Sequence, residues 1–257
     1  MEDAHGPYAA GTAARAGYYG DMAQHIGIVG CSSEGAALCY RTLCLEGAQF
    51  LGPHDHPEVT LHTHSLARYL RHIERGDWAG VGELMLSSAH TLARAGAQLL
   101  VCPDNTIHQA LPWIEGRLPR PFLHIAEVVA AEARGRGYRR LAITGTRYLV
   151  DSDVYPDKLT AHGLEFLRPD AAERAEINRI IFEELVRGVF RAESVSCFQR
   201  VFGRMRDEGC DAVILGCTEI PLVMNDGNSP LPTLDSTRLL ARAALRRAAG
   251  AVTPPAR

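Results

Sequence analysis

Two short polar segments carry the residue types best suited to proton transfer. Residues 103–108 read Pro-Asp-Asn-Thr-Ile-His, and residues 216–219 read Gly-Cys-Thr-Glu. Each segment closely follows an apolar run that is typical of a buried strand. The carboxyl group of Asp104 and the thiol of Cys217 can both accept and donate protons, so two similar strand-end segments indicate one acid/base site between two similar lobes.

The elements expected to position these segments alternate along the chain as short apolar strands and amphipathic helices. Continuous apolar runs at 98–102 and 212–215 predict central parallel strands that deliver Asp104 and Cys217 beyond their carboxyl ends. Other strands are predicted at 25–30, 59–62 and 140–146, and helices at 34–47, 77–95, 175–191 and 236–249. The predicted fold class is therefore α/β, with two similar lobes, a parallel sheet flanked by helices in each, and the active site in the cleft between them.

Both strand-end segments resemble motifs of the pyridoxal-independent aspartate/glutamate racemase family. In that family a Cys-Asn-Thr segment and a Gly-Cys-Thr segment each present a thiol to one face of an amino-acid α-carbon. The resemblance runs from Met22 to about Ala249 and includes Gly145-Thr146, Tyr155 nine residues later, and the run 215–222. Asp104 stands where the first cysteine would be, so the sequence resembles a variant of the family.

The resemblance implies an isomerase, namely an amino-acid racemase or epimerase that acts on aspartate or glutamate without a cofactor. It also implies a homodimer, and it implies that the C-terminal helix packs back on the first lobe. Prolines at 119–121 mark the best candidate crossing between the lobes, and the return crossing is expected near 226–232. The expected division is lobe 1 at 22–120 plus 228–249, lobe 2 at 121–227, and disordered ends at 1–21 and 250–257.

The acid/base pair has unequal reference acidities. Racemisation removes a weakly acidic α-proton from one face and returns a proton to the other, so the two groups must flank the carbon. With reference pKa values near 3.9 and 8.5, the resting pair should be a carboxylate at Asp104 and a neutral thiol at Cys217. The reverse pairing would lie about 6 kcal/mol higher unless burial raises the pKa of Asp104. We therefore expect Asp104 to remove the proton and Cys217, activated by backbone N–H groups, to deliver one.

The structural alternative for Asp104 is a turn or cap residue whose side chain bonds the backbone, which is common before Asn-Thr. Cys102 is a poor substitute for the missing thiol, because it lies inside the predicted strand.

Short polar side chains beside the pair are candidates for binding the substrate. Asn105, Thr106 and Thr218 match the carboxylate-holding positions of the family. Ser32 and Ser33 occupy the first strand-end loop, where backbone N–H groups could bind an anion. Taken singly, each of these residues is also a common loop or N-cap residue.

Three longer side chains complete the candidate list. His108 and Glu219 sit beside the acid/base positions and could orient them or hold the substrate amino group. For Glu219 the structural alternative is a first-turn carboxylate favoured by the helix dipole. Lys158, the only lysine in the chain, lies where related aspartate racemases place a substrate-binding lysine.

Composition excludes several other classes of function. The chain has 257 residues, 46% of them hydrophobic, a net charge of −3 and a pI near 6.4, so it shows no electrostatic surface for nucleic acid or anionic lipid. A small-molecule partner is favoured. No apolar run approaches the roughly 18 residues of a membrane span, and no signal peptide is recognisable, so a cytoplasmic location is expected.

The seven cysteines form no CxxC, and the two His-x-His pairs, at 54–56 and 62–64, lack accompanying carboxylates or cysteines at zinc-like spacing. No metal site is expected.

Two other classes of function stay open. One is a decarboxylase or cis-trans isomerase of the same superfamily, where a single cysteine suffices. The other is a ligand-binding protein that kept the cleft and lost the catalytic pair.

Overall fold

The computed structural model describes residues 23–250. The leader predicted at 1–21 and all but the first residue of the tail predicted at 250–257 lie outside this range. Within it, no helix is both long enough and apolar enough to pass through a lipid bilayer.

A four-stranded parallel sheet forms the core of the first lobe. Its strands are β1 (Ile26–Gly30), β2 (Val59–Thr63), β3 (Leu99–Val101) and β4 (Phe122–Leu123), in the order β2-β1-β3-β4. The flanking helices are α1 (Ser33–Glu46), α2 (Ala48–Leu51), α3 (Leu66–Ile73) and α4 (Trp78–Arg94). The central strands β1 and β3 are fully buried, which explains their continuous apolar sequences.

A second four-stranded parallel sheet repeats this plan. Its strands are β5 (Arg140–Thr144), β6 (Glu165–Leu167), β7 (Ala212–Leu215) and β8 (Thr233–Asp235), in the order β6-β5-β7-β8. The remaining helices are α5 (Ile125–Gly135), α6 (Arg147–Val150), α7 (Val154–Ala161), α8 (Ala171–Glu183), α9 (Ala192–Asp207) and α10 (Ser236–Ala248). Short 3₁₀ helices lie at Thr106–Trp113, Glu115–Arg117, Leu185–Arg187 and Ile220–Leu222.

The two sheets share one strand order, so β3 of the first lobe corresponds to β7 of the second. This arrangement confirms the predicted α/β fold with two similar lobes. Because ligands of such sheets bind beyond the carboxyl ends of the strands, residues after β3 and β7 are placed to form one site.

The observed strand pairing places both crossings between the lobes later in the chain than predicted. Phe122 in β4 pairs with Leu100, so the chain is still in the first sheet after the predicted boundary at 121. Thr233 in β8 pairs with Val213, so residues 233–235 belong to the second sheet although 228–249 was expected in the first lobe. A two-residue edge strand carries no alternation pattern that the sequence could reveal.

Helix α10 returns to the first lobe. Its side chains Leu240, Ala244 and Leu245 are buried in one core cluster with Ile26 of β1 and Leu99 of β3.

The prediction of one long helix at 175–191 is wrong, because α8 ends at Glu183 and the next long helix, α9, begins only at Ala192. Helix α8 begins at an Asp170–Glu173 capping box and ends at Glu183. Gly188 then adopts a left-handed conformation, with φ of 71°, which ends the helical path. Helix α9, which is not among the predicted helices, packs Phe198 and Phe202 into the core of the second lobe.

Candidate active site

Asp104 and Cys217 project from corresponding places in the two lobes. Asp104 lies three residues beyond the end of β3, and Cys217 lies two residues beyond the end of β7. Burial and the charge of Glu219 are the main causes that raise the pKa of the Cys217 thiol, and the charge of Asp104 adds a smaller rise. The sequence predicts both residues at the ends of central strands, and the structure places them there.

The Asp104 carboxyl is both a turn residue and a titratable group in the cleft. Its Oδ1 accepts the backbone N–H of Ile107 at 3.3 Å, in the first turn of the 3₁₀ helix Thr106–Trp113. Burial raises its pKa to about 6, although that backbone bond and the thiol of Cys31 lower the pKa in part. The side-chain bond to the backbone expected as an alternative is therefore present, and it leaves a carboxyl group that titrates near neutral pH.

Cys31 is a thiol neighbour of Asp104 that is not among the predicted site residues. Pairing of Ile28 with Val101 sets the β1–β3 register, and Cys31 and Asp104 each lie three residues further on. The Cys31 thiol is buried, and its nearness to the Asp104 carboxyl lowers the pKa of that group in part. The signal that could have found it was this register, since the strand ends of β1 and β3 must be adjacent in such a sheet.

The Cys217 thiol is bound to a carboxylate, and the backbone N–H of Glu219, of the kind expected to activate it, lowers its pKa by less than burial and that carboxylate raise it. Its Sγ donates to Oε2 of Glu219 at 2.9 Å, and the Thr218 hydroxyl donates to the same oxygen at 2.8 Å. Burial, and then the negative charge of Glu219, raise the pKa of Cys217 well above its ordinary value. Cys217 is therefore a neutral thiol at neutral pH, while Asp104 is mostly ionised.

Two pairs of hydroxyl groups bridge the lobes beside the acid/base groups. The Ser32 Oγ lies 3.4 Å from the Thr218 Oγ1, and the Thr106 Oγ1 lies 3.4 Å from the Thr146 Oγ1. Each pair joins the end of a first strand in one lobe to the end of a third strand in the other. Thr146 was not among the predicted site residues, although its Gly-Thr dipeptide contributed to the resemblance.

The lobes approach closely where α1 begins. A Cβ atom on Gly35 would lie 2.6 Å from the Thr218 methyl carbon and 3.2 Å from the Pro103 carbonyl oxygen, so only glycine allows this contact. Ser32 caps the same helix by accepting the Gly35 N–H, whereas Ser33 is exposed to solvent. Ser32 is thus brought to the site and Ser33 is not.

Asn105 is committed to joining the lobes. Its Oδ1 accepts the Tyr155 hydroxyl at 2.7 Å, and its Nδ2 donates to the Ser236 Oγ at 3.0 Å. The Ser236 hydroxyl in turn donates to the Leu215 carbonyl at the end of β7. This buried chain of bonds holds the Asp104 segment against the second lobe, so Asn105 acts here as a positioning residue and not as an exposed carboxylate ligand.

His108 and Lys158 face a different space. Both line a cavity of about 840 Å³ between residues 108–124 and α7, and neither Asp104 nor Cys217 lines it. The Lys158 Nζ lies 3.4 Å from Glu127 Oε2. The structure therefore does not bring the only lysine together with the acid/base pair.

Metal ligation is not indicated among residues 23–250, where no group of three or more His, Cys, Asp or Glu side chains converges. The rings of His62 and His64 bond instead to the hydroxyl groups of Ser88 and Ser87. Cys102 is fully buried in the first core, with its thiol 3.9 Å from the backbone oxygen of Asp104.

Fold and site together define a two-lobed α/β protein with a carboxyl group and a thiol beyond corresponding strands of the two lobes. Residues 26–244 match the family model for Asp/Glu/hydantoin racemases, and the chain belongs to that family. A broad-specificity amino-acid racemase of Bacillus subtilis is 24% identical over 161 residues, which is 62% of this chain and 68% of that protein.

Two solved structures are also similar to this chain. A Yersinia pestis protein described as a candidate Asp/Glu racemase is 31% identical with a TM-score of 0.81, covering 88% of this chain and 99% of that one. An aspartate racemase homologue from Pyrococcus horikoshii is 28% identical with a TM-score of 0.77 and the same coverage.

Proposed function

We propose that this protein is a cofactor-independent amino-acid racemase or epimerase in which Asp104 and Cys217 act on opposite faces of the α-carbon. The observation that carries the proposal is the placement of two acid/base groups beyond corresponding strands of two facing lobes. Deprotonation on one face with protonation on the other needs this arrangement.

The direction of proton transfer follows from the two acidities. Burial raises the pKa of Asp104 to about 6, and burial together with the Glu219 charge raises the pKa of Cys217 well above its ordinary value. The carboxylate/thiol state is therefore strongly favoured over the carboxylic acid/thiolate state. Asp104 removes the α-proton, the Cys217 thiol protonates the opposite face, and the enzyme then redistributes protons before the next turnover.

The equilibrium between enantiomers limits how far the rates of the two directions can differ. The equilibrium constant between two enantiomers is one, so kcat/KM must be equal in the two directions. Asymmetry must appear in kcat and KM separately, or in the step that restores the resting protonation state. An epimerase acting on a substrate with a second chiral centre is free of this restriction.

The substrate ammonium and carboxylate groups find complementary partners around the pair. Glu219 and Asp104 supply negative charge for an ammonium group, and the hydroxyl groups of Ser32, Thr106 and Thr146 supply donors for a carboxylate, while the Thr218 proton is held by Glu219. Within residues 23–250 neither Asp104 nor Glu219 has a salt-bridge partner. An acidic side chain, which the family resemblance favoured, would add a further negative charge here, so we propose that the substrates extend to neutral amino acids.

Chiral chromatography of single amino acids tests this function. We expect wild type and Cys44→Ser, which changes a thiol outside the site, to convert at least one enantiomer into the other. Cys217→Ser should lose the conversion. A panel containing acidic, neutral and basic amino acids identifies the side-chain class. Conversion that persists in Cys217→Ser, or no conversion of any amino acid, would refute the proposal; loss of CO₂ from an aryl malonate would then indicate the decarboxylase alternative.

We also propose a cytoplasmic homodimer. All seven cysteines are free thiols, which fits a reducing compartment, and the dimer follows from the family resemblance. Light scattering coupled to size exclusion gives the mass directly, and a mass near the 28.0 kDa of one chain would rule out the dimer.

A further inference from the structure

The large cavity beside the reaction centre has the features of a second small-molecule site. We call it the tryptophan cavity, after Trp78 at the start of α4 and Trp113 at the end of the 3₁₀ helix. Its volume of about 840 Å³ suits a small ligand, since ligand sites in proteins span about 300–1,000 Å³. His108, His124 and Lys158 supply its polar groups, and Leu111, Phe122 and several prolines supply its apolar walls.

The two histidines of the tryptophan cavity have defined tautomers. His108 Nε2 lies 3.0 Å from the Cys102 carbonyl oxygen, so Nε2 carries the proton and Nδ1 is a bare acceptor. His124 Nδ1 accepts the Ala126 N–H at the start of α5, so its Nε2 carries the proton and is a donor. Burial lowers the pKa of His108 to about 4 and that of His124 to about 2, so both rings are neutral at neutral pH.

The two rings differ in what they offer the cavity. Their centroids are 4.7 Å apart, so the rings are close neighbours. His108 is 2% exposed, and within residues 23–250 its Nδ1 is buried without a hydrogen-bond partner, so this acceptor is closed off from the cavity. The His124 Nε2 donor, on a ring that lines the cavity, is therefore the histidine group available to a ligand.

Charged groups stand beside the histidines on one side of the cavity. Lys158 has three ammonium donors, and Glu127 is its only salt-bridge partner within residues 23–250. Asp157 and Asp153, also on the cavity lining, supply negative charge at the N-terminal end of α7. The cavity therefore offers partners for a cation and an anion within one small space.

We propose that the tryptophan cavity binds a free α-amino acid with an apolar side chain, separately from the reaction centre. The ligand ammonium bonds to the Asp157 carboxylate, its carboxylate bonds to His124 Nε2 and Lys158, and its side chain lies against the two indoles. The inference does not depend on the racemase activity, because no acid/base residue of the reaction centre lines this cavity.

Intrinsic fluorescence tests the proposal, because Trp78 and Trp113 are the only two tryptophans in the chain and both line the cavity. Cys217→Ala is titrated with L-leucine and with D-leucine, so that turnover does not alter the ligand. The same titration uses 4-methylpentanoate, which lacks the ammonium group, and isoamylamine, which lacks the carboxylate. We expect a saturable signal for leucine and binding weaker by at least about tenfold for both analogues.

Two substitutions and one control assign the signal to the cavity. Lys158→Met keeps the length of the side chain without its charge, and His124→Asn keeps a good N-cap for α5 while removing the ring donor. Both should weaken leucine binding at least about tenfold. Arg206→Ala, which removes an exposed cation paired with Asp207 on the surface, should not change the binding.

Three results would overturn the inference. They are the absence of any fluorescence change, a change that Lys158→Met and His124→Asn do not affect, and a change that follows protein concentration and so marks an interface between two copies. If the wild type binds leucine but racemises no amino acid, the proposed function alone is refuted. Racemase activity without leucine binding would refute this inference alone.

Discussion

Replacing Asp104 with asparagine should stabilise the folded protein at neutral pH, although it removes the proposed catalytic base. Burial raises the pKa of this carboxyl from about 3.9 in the unfolded chain to about 6 in the folded protein. A raised pKa means that the folded state binds the proton more tightly, so ionisation costs stability. The cost is absent below the unfolded pKa, grows as pH rises towards 6, and is constant above it.

The magnitude follows from the pKa difference. Relative to a neutral side chain, the carboxyl costs about 3 kcal/mol at pH 7.5 and about 1 kcal/mol at pH 4.5. These are upper limits, because Asp104 keeps some contact with solvent. Asparagine carries no charge, and its side-chain oxygen can still accept the Ile107 N–H. The stability gained by Asp104→Asn should therefore be larger by about 2 kcal/mol at pH 7.5 than at pH 4.5.

Urea unfolding of both proteins at the two pH values measures this difference. Effects that do not depend on pH, such as altered packing, cancel between the two conditions. Asp207→Asn provides a control for the loss of an exposed carboxylate. A stability difference that is the same at both pH values would refute the reasoning, because it would mean that Asp104 titrates normally in the folded protein.

Three further outcomes follow from the site. Because Asp104 must be ionised and its pKa is about 6, kcat/KM should fall below pH 6. It should stay level from pH 7 to 8.5, because the Cys217 thiol stays neutral there. A decline of kcat/KM between pH 7 and 8.5 would contradict the neutral thiol. Glu219→Gln removes the charge that raises the pKa of Cys217, so iodoacetamide should alkylate this thiol several-fold faster at pH 8. Peptide mass spectrometry measures the rate, and an unchanged rate would count against the Glu219 contact. Asn105→Ala should lower the free energy of unfolding by about 2 kcal/mol, because it leaves the buried Tyr155 hydroxyl without its acceptor. The double change with Tyr155→Phe should cost less than the sum of the two single changes. Simple additivity in urea unfolding would exclude this coupling.

The elements that carry the acid/base pair could be predicted because their sequence signals are local. Strands β3 and β7 are uninterrupted apolar runs, and the polar segments that follow them place Asp104 and Cys217 at strand ends. The two-residue strand β4 could not be found in this way, because its membership in the first sheet depends on pairing with Leu100. The split between α8 and α9 depends on the backbone conformation of Gly188, which the helical spacing around it concealed.

The partners of the acid/base groups were harder to predict, because they come from distant parts of the chain. Cys31 meets Asp104 only through the β1–β3 register, and Asn105 meets Tyr155 only when the lobes pack. The substrate role expected of Lys158 comes from the family resemblance at its position in the chain. Its side chain faces the tryptophan cavity, since the direction of a helical side chain depends on how α7 packs and not on its distance along the sequence.

The central claim is that Asp104 and Cys217 exchange protons with opposite faces of one α-carbon. Initial-rate proton NMR in D₂O, on the best substrate of the amino-acid panel, tests it most directly. We expect the product enantiomer to carry deuterium at the α-carbon while the remaining substrate keeps its proton. Cys217→Ala should lose inversion but still exchange one enantiomer, and Asp104→Asn should lose both inversion and exchange. Product that retains the original proton, or inversion that survives in Asp104→Asn, would contradict the two-base account.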